Sequence, residues 1–172
     1  EASRPAIVNR QPAHQDVDVP FSITELSFDL LGNEPLDYTV MTSPYIGSAS
    51  ETGISPGHIT VPVSGLQPST EYTWIVEATD GVETIHKVYT FKTIKSYALD
   101  LTTSGMGTIQ ASRPGPYAAD SQVTLTAVPA EGWKFIGWAG GRLGAISGLE
   151  NPKTITLADN TPLRAYFMEI GK

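Results

Sequence analysis

Short apolar runs of period two dominate this chain, and they break at Gly, Pro, Asn and Asp. In Glu25-Leu26-Ser27-Phe28-Asp29-Leu30 the apolar residues 26, 28 and 30 face one way and the polar ones the other. Such alternation marks half-buried strands. The same pattern predicts strands at Ala6-Ile7-Val8, at Asp37-Tyr38-Thr39-Val40, and around Ile59, Val61 and Val63. It continues through Tyr72, Trp74, Val76 and Ala78, and through Ile85, Lys87, Tyr89 and Phe91. Gly32-Asn33-Glu34-Pro35 and Asp80-Gly81 read as turns. Pro62 cannot donate to a ladder, so its strand is expected at an edge. Residues 43–57, with Ser, Thr, Gly and Pro around Tyr45 and Ile46, read as a loop. No window of a dozen residues carries a helical period.

A second set of alternations begins at Tyr97, Leu99 and Leu101. Ser104-Gly105-Met106-Gly107 reads as a hairpin turn that returns along Thr108–Ala111. Val123, Leu125 and Ala127 alternate next, before Pro129-Ala130-Glu131-Gly132 turns the chain into Trp133-Lys134-Phe135-Ile136-Gly137-Trp138. Strict alternation there puts Trp133 and Trp138 on opposite faces; both are expected to pack the core or its edge, and exposure of one as a stacking platform is the alternative. A glycine-rich stretch, Ala139 to Gly148, follows, then Thr154–Leu157 and Leu163–Phe167. Between the two sets lies Phe91-Lys92-Thr93-Ile94-Lys95-Ser96-Tyr97. At most Thr93 to Ser96 are free to bend, and none is Gly or Pro, unlike flexible linkers. The expectation is two all-β modules, 1–94 and 95–172, joined by a short, semi-rigid connection.

Composition supports this division. The 172 residues include 16 Gly and 13 Pro, the usage of turn-rich β proteins. Residues 1–94 carry 12 acids and four bases, a net charge of -8, whereas residues 95–172 carry +1. An acidic front half repels phosphate, so no nucleic acid is expected as a partner. The absence of cysteine removes disulfides, thiolate metal sites and a thiol nucleophile. No apolar run reaches membrane-spanning length. The chain begins with Glu1 and carries no signal-like segment, which suggests an internal piece of a longer protein.

Two family resemblances rest on these residues. Leu66-Gln67-Pro68-Ser69-Thr70-Glu71-Tyr72 resembles the corner leading into the sixth strand of fibronectin type III domains. There a tyrosine hydroxyl bonds back to the corner backbone. The closing Tyr89-Thr90-Phe91-Lys92-Thr93 also looks like that family. The resemblance covers roughly 5–93 and implies a fibronectin/immunoglobulin-like β-sandwich of about seven strands. It departs from the family at the second strand, where a tryptophan is usual: Leu26 and Phe28 stand there, and Trp74 lies on the sixth strand.

Roughly 96–168 resembles the divergent internalin B-repeat family. The resemblance rests on the Gly105-Met106-Gly107 turn, the Val123-Thr124-Leu125-Thr126-Ala127 strand, Gly132-Trp133 to Gly137-Trp138, Asn151-Pro152 and Ala165-Tyr166-Phe167. It implies a small mainly-β repeat-type module of exported and surface proteins of prokaryotes, mostly structural or adhesive in role. The stretch Gly140–Gly148 looks longer than the usual loop of that family.

A catalytic set is not discernible. His14, His58 and His86 lack metal-type spacing, and Asp16-Val17-Asp18 lacks the glycine and distant glutamate of a calcium loop. No serine lies in Gly-x-Ser-x-Gly, and Gly105-Met106-Gly107 lacks the strand-to-helix setting of a dinucleotide loop. No cofactor, metal or catalytic residue is therefore expected. The leading expectation is a non-catalytic spacer or adhesion segment of a larger exported or cell-surface prokaryotic protein, with that protein's other domains as partners. The alternative is a carbohydrate-binding accessory module of a secreted polysaccharide-degrading enzyme. A glycan or surface protein would then stack on exposed aromatics, with candidates Trp133, Trp138, Tyr45 and Tyr117.

Overall fold

A computed structural model of the protein describes residues 4–172. It is nearly all β and divides into two compact units, 1–94 and 95–172.

The first unit contains eight strands: β1 (Ala6–Gln11), β2 (Asp16–Val19), β3 (Glu25–Leu31), β4 (Leu36–Ser43), β5 (Ser48–Ile54), β6 (Gly57–Pro62), β7 (Glu71–Thr79) and β8 (Thr84–Thr93). They form a three-stranded sheet, β1-β3-β6, and a five-stranded sheet, β2-β8-β7-β4-β5. Between them lie Leu26, Phe28 and Leu30 from β3, Val40 from β4, Trp74 and Val76 from β7, and Phe91 from β8, all buried. This is a fibronectin type III-like sandwich. Its second-strand tryptophan is replaced from across the core: the Trp74 ring lies 6.1 Å from Phe28 and 5.0 Å from Tyr89, centroid to centroid. The Trp74 indole N–H is buried without a hydrogen-bond partner in the protein, a polar cost of that divergent core.

Two expectations for this unit need correction. The strand count is eight, because the first strand changes sheets: β1 pairs with β3, and after Pro12–Gln15 the chain pairs as β2 with β8. The run Asp16-Val17-Asp18-Val19 hides this, since only Val19 is buried. Residues 43–57 are not a loop throughout. Ser48–Ile54 is a strand at the sheet edge, paired with β4 alone and mostly exposed; only Ala49 and Ile54 touch the core, too few to mark a face in the sequence. Pro62 does lie on an edge strand.

The second unit begins with a two-residue pairing of β9 (Ser96–Tyr97) and continues as β10 (Leu99–Ser104), β11 (Gly107–Ala111), β12 (Tyr117–Ala118) and β13 (Gln122–Pro129). Then come β14 (Trp133–Gly140), a 3-10 turn at Arg142–Gly144, β15 (Ile146–Gly148), β16 (Lys153–Thr156) and β17 (Thr161–Glu169). One sheet is β10-β17-β14-β15 and another is β11-β13-β16, while β9 pairs with β12. Val123, Leu125, Ile155, Leu157, Leu163, Ala165, Phe167 and Trp138 build a core separate from that of the first unit.

Here too the chain departs from its pattern. Ser104–Gly107 is not a hairpin: β10 belongs to one sheet and β11 to the other, so the turn is a corner between sheets. Both glycines are required by Phe167. A Cβ at Gly105 (φ +85°) would collide with the Phe167 carbonyl, and one at Gly107 would lie 2.5 Å from its ring. The glycine-rich stretch is not only a loop, since Ile146–Gly148 folds back as a strand against Trp138–Gly140.

The alternation of β14 also breaks. Phe135 pairs with Phe167 and Gly137 with Tyr166, so Ile136 is the extra residue of a β-bulge. Gly137 (φ +147°) supplies the backbone conformation there. Beyond the bulge the facing inverts. Trp133, Phe135 and Trp138 therefore all pack on the core, rather than on two faces, while Ile136 is exposed.

Candidate functional site

The four aromatic candidates do not converge. Trp138 is buried, and its indole N–H donates to the Glu150 carbonyl at 2.8 Å. Its ring lies 5.2 Å from that of Phe135. Tyr117 is buried as well; its hydroxyl donates to the Arg113 carbonyl and the Arg113 guanidinium lies 5.4 Å from its ring centre. Neither ring is free to stack on a ligand, because both are enclosed in the core of the second unit. Trp133 is half-buried and packs against the same core. Tyr45 alone is open, at 76% exposure, and it stands in the first unit.

The polar side chains serve turns and ladders. The Tyr72 hydroxyl accepts the Gln67 N–H at 2.8 Å, closing the corner as the fibronectin resemblance implies. The Thr93 hydroxyl donates to the Gln67 carbonyl at 2.6 Å, tying the last strand to the same corner. The Asn151 amide acts as an added ladder residue: its Oδ1 accepts the Ala127 N–H at 2.9 Å and its Nδ2 donates to the Ala127 carbonyl at 2.8 Å. Asn160 does the same once, accepting the Ala98 N–H at 2.9 Å.

Ionisable groups form small surface clusters. Asn9 Nδ2 donates to Asp29 Oδ2 at 2.6 Å, and His58 Nδ1 lies 2.6 Å from Asp29 Oδ1. These two hydrogen bonds, Asn9 first, hold the Asp29 carboxyl below its ordinary value. The Asp80 carboxyl is lowered by the backbone N–H groups of Glu83 and Val82 in the β7–β8 turn. Burial raises the Tyr89 phenol, opposed by the Arg10 guanidinium 4.8 Å from its ring centre. Among the described residues, no three His, Asp or Glu side chains gather as a metal site requires. An open groove of about 340 Å³ runs over β4, β5 and β7, lined by Asp37, Tyr38, Glu51 and Glu77 among others. Its lining carries hydroxyls beside these acids but no Lys, Arg or His.

The more distinctive arrangement is the path of the chain through each unit. In the first, Pro5 approaches Gly32, and Arg4 pairs with Glu83 at 3.3 Å, at one end of the sandwich. The register Asp37↔Thr79 and Thr79↔Thr84 belongs to that end; Ser43↔Thr73 and Glu71↔Lys92 belong to the other, where β8 finishes. In the second unit β10 and β17 are parallel neighbours, from Leu99↔Thr161 to Ser104↔Tyr166. The chain therefore enters beside the start of β17 and leaves at its far end, at Glu169. Sequence reasoning missed this path. Parallel pairing joins residues 62 apart, and no local signal marks it.

Comparison with known proteins agrees with the second unit. Residues 97–171 match the family model described as divergent InlB B-repeat domain. Among solved structures, the FN1–FN3 domains of chicken CNTN1 are 11% identical with a TM-score of 0.33, over 96% of this chain and 63% of that one. The BSP domain of a biofilm associated protein is 13% identical with a TM-score of 0.32, over 96% of this chain and 30% of that one. The chain thus spans less than two thirds of either structure. No curated protein matches it. Among the described residues no helix is long and apolar enough to cross a membrane.

Proposed function

We propose that this chain is a non-catalytic spacer and adhesion segment of a larger exported or cell-surface prokaryotic protein, whose other domains are its partners. The observation that carries this reading is the path of the chain: each unit takes the backbone in at one end and lets it out at the other. A module of that kind adds its own length to whatever it connects. The match of residues 97–171 to the divergent InlB B-repeat family supports a surface setting. The large aromatics support the structural role, since Trp74, Trp138, Phe28, Phe91 and Phe167 fill cores rather than line a cleft.

Display on a bacterial surface tests the reading. The chain is placed between an anchor and a peptide tag, and antibody access to the tag is measured. Access should rise as much as with two unrelated β-sandwich modules of equal length, and more than with a Gly/Ser linker of about 20 residues, whose r.m.s. span is roughly 25 Å. Access no better than with the flexible linker would contradict a spacer.

A further inference from the structure

We propose that the second unit is a load-bearing module, in which tension along the chain passes in shear through the parallel ladder between β10 and β17. This deepens the spacer reading and rests on it for the source of the tension. The ladder joins the first long strand of the unit to its last, over Leu99↔Thr161, Asp100↔Pro162, Leu101↔Leu163, Thr102↔Arg164, Thr103↔Ala165 and Ser104↔Tyr166. Pulling at the entry draws β10 backward along its own axis; pulling at the exit draws β17 forward along the same axis. The two strands then slide past each other, and their hydrogen bonds must yield together. In an antiparallel terminal pair the same pull would open the bonds one at a time from the end.

Several side chains secure this ladder. Thr102 Oγ1 accepts the Arg164 Nε–H at 3.1 Å across the two strands. The Asn160 side chain and the Thr161 N–H, which donates to the Ala98 carbonyl at 2.9 Å, fasten the entry end. At the exit end Ile170 N–H donates to the Gly132 carbonyl at 2.8 Å, and β17 is paired along its other side with β14. The Phe167 ring and carbonyl sit against Gly107 and Gly105, so sliding β17 forward drives that ring out of the core corner. The first unit has a shorter version of the same topology, β2 parallel to β8 at Asp16↔Phe91 and Val19↔Thr93.

The chain has no cysteine, so engineered thiols give unique handles for single-molecule pulling. In the full chain, Lys95→Cys with Ile170→Cys loads the ladder lengthwise, whereas Lys95→Cys with Ala158→Cys pulls the two adjacent strand starts apart. All three positions carry side chains that are exposed at the surface. At one loading rate the lengthwise geometry should rupture at a force several-fold above the peeling geometry, since forced unfolding follows the barrier along the direction of pull. The released length, roughly 3.4 Å per freed residue, reports how much of the second unit opened. Equal forces in the two geometries would overturn the proposal, and so would a lengthwise force below the peeling force. Either result leaves the surface-display measurement standing, so failure of the clamp is distinguishable from failure of the spacer reading.

Discussion

The Tyr72 hydroxyl holds the Gln67 backbone N–H at 2.8 Å, five residues back along the chain, while the Tyr72 ring stacks 5.5 Å from Phe91. One side chain thus fixes both the corner and the last strand of the first unit. Tyr72→Phe keeps the ring and strands the N–H. It should destabilise the unit by about 0.5–1.5 kcal/mol, the net worth of one partly buried hydrogen bond. Chemical denaturation followed by the Trp74 indole NMR signal measures this, and an unchanged midpoint would refute the corner's role.

The Asn151 amide substitutes for a strand residue opposite Ala127. Asn151→Ala removes both bonds and should cost the second unit about 1–3 kcal/mol. Hydrogen exchange gives the sharper reading. The Ala127 amide should lose protection more than those of Val123 and Leu125, which keep their pairing with β16 or lie beside it.

Acid should act on the first unit through Asp29. Its carboxyl is held below the ordinary value by Asn9 and then His58. A depressed folded value means stabilisation that is present above the unfolded value of about 3.9 and is lost as pH falls through the folded one. Asp29→Asn should therefore flatten the acid limb of the stability–pH curve. Asn9→Ala should move the Asp29 carboxyl titration, followed by NMR, upward toward the ordinary range. An Asp29 titration at or above that range in the native protein would contradict the geometry.

Lys95 gives a test of the joint by itself. Its carbonyl accepts the Ala119 N–H at 2.9 Å, and the preceding Ile94 N–H donates to the Val19 carbonyl at 2.9 Å. Each backbone is tied into its own unit, so native trypsin should cut slowly after Lys95, because cleavage needs local opening. Fast cleavage there, before any other site, would argue for a loose connection.

Much of the fold was legible in local pattern. Leu26, Phe28 and Leu30 announced their face, as did Tyr72, Trp74, Val76 and Ala78, because a strand with one wet face must alternate. The misses have a shared cause. Ser48–Ile54 is a mostly exposed edge strand, and with only Ala49 and Ile54 against the core it carries no apolar alternation. Both tryptophans pack on the core, as their size led one to expect, but the means was hidden: the bulge at Ile136 inverts the facing of Trp138. A single extra residue is invisible to a period-two count. Of the four aromatic candidates only Tyr45 is fully open, because exposure depends on partners distant in sequence. The β10–β17 ladder escaped for the same reason: pairing across 62 residues leaves no local trace.

A spacer requires each unit to carry the chain from end to end, and distances between spin labels measure this directly. Ala98→Cys with Ile170→Cys brackets β17 in the second unit, and Arg4→Cys with Lys92→Cys brackets the first. At about 3.3 Å rise per strand residue, each pair should give one narrow distribution centred at roughly 25–30 Å, before label length is added. A distribution below about 15 Å in either unit, which is four to five strand residues at that rise, would put entry and exit at the same end and contradict the spacer.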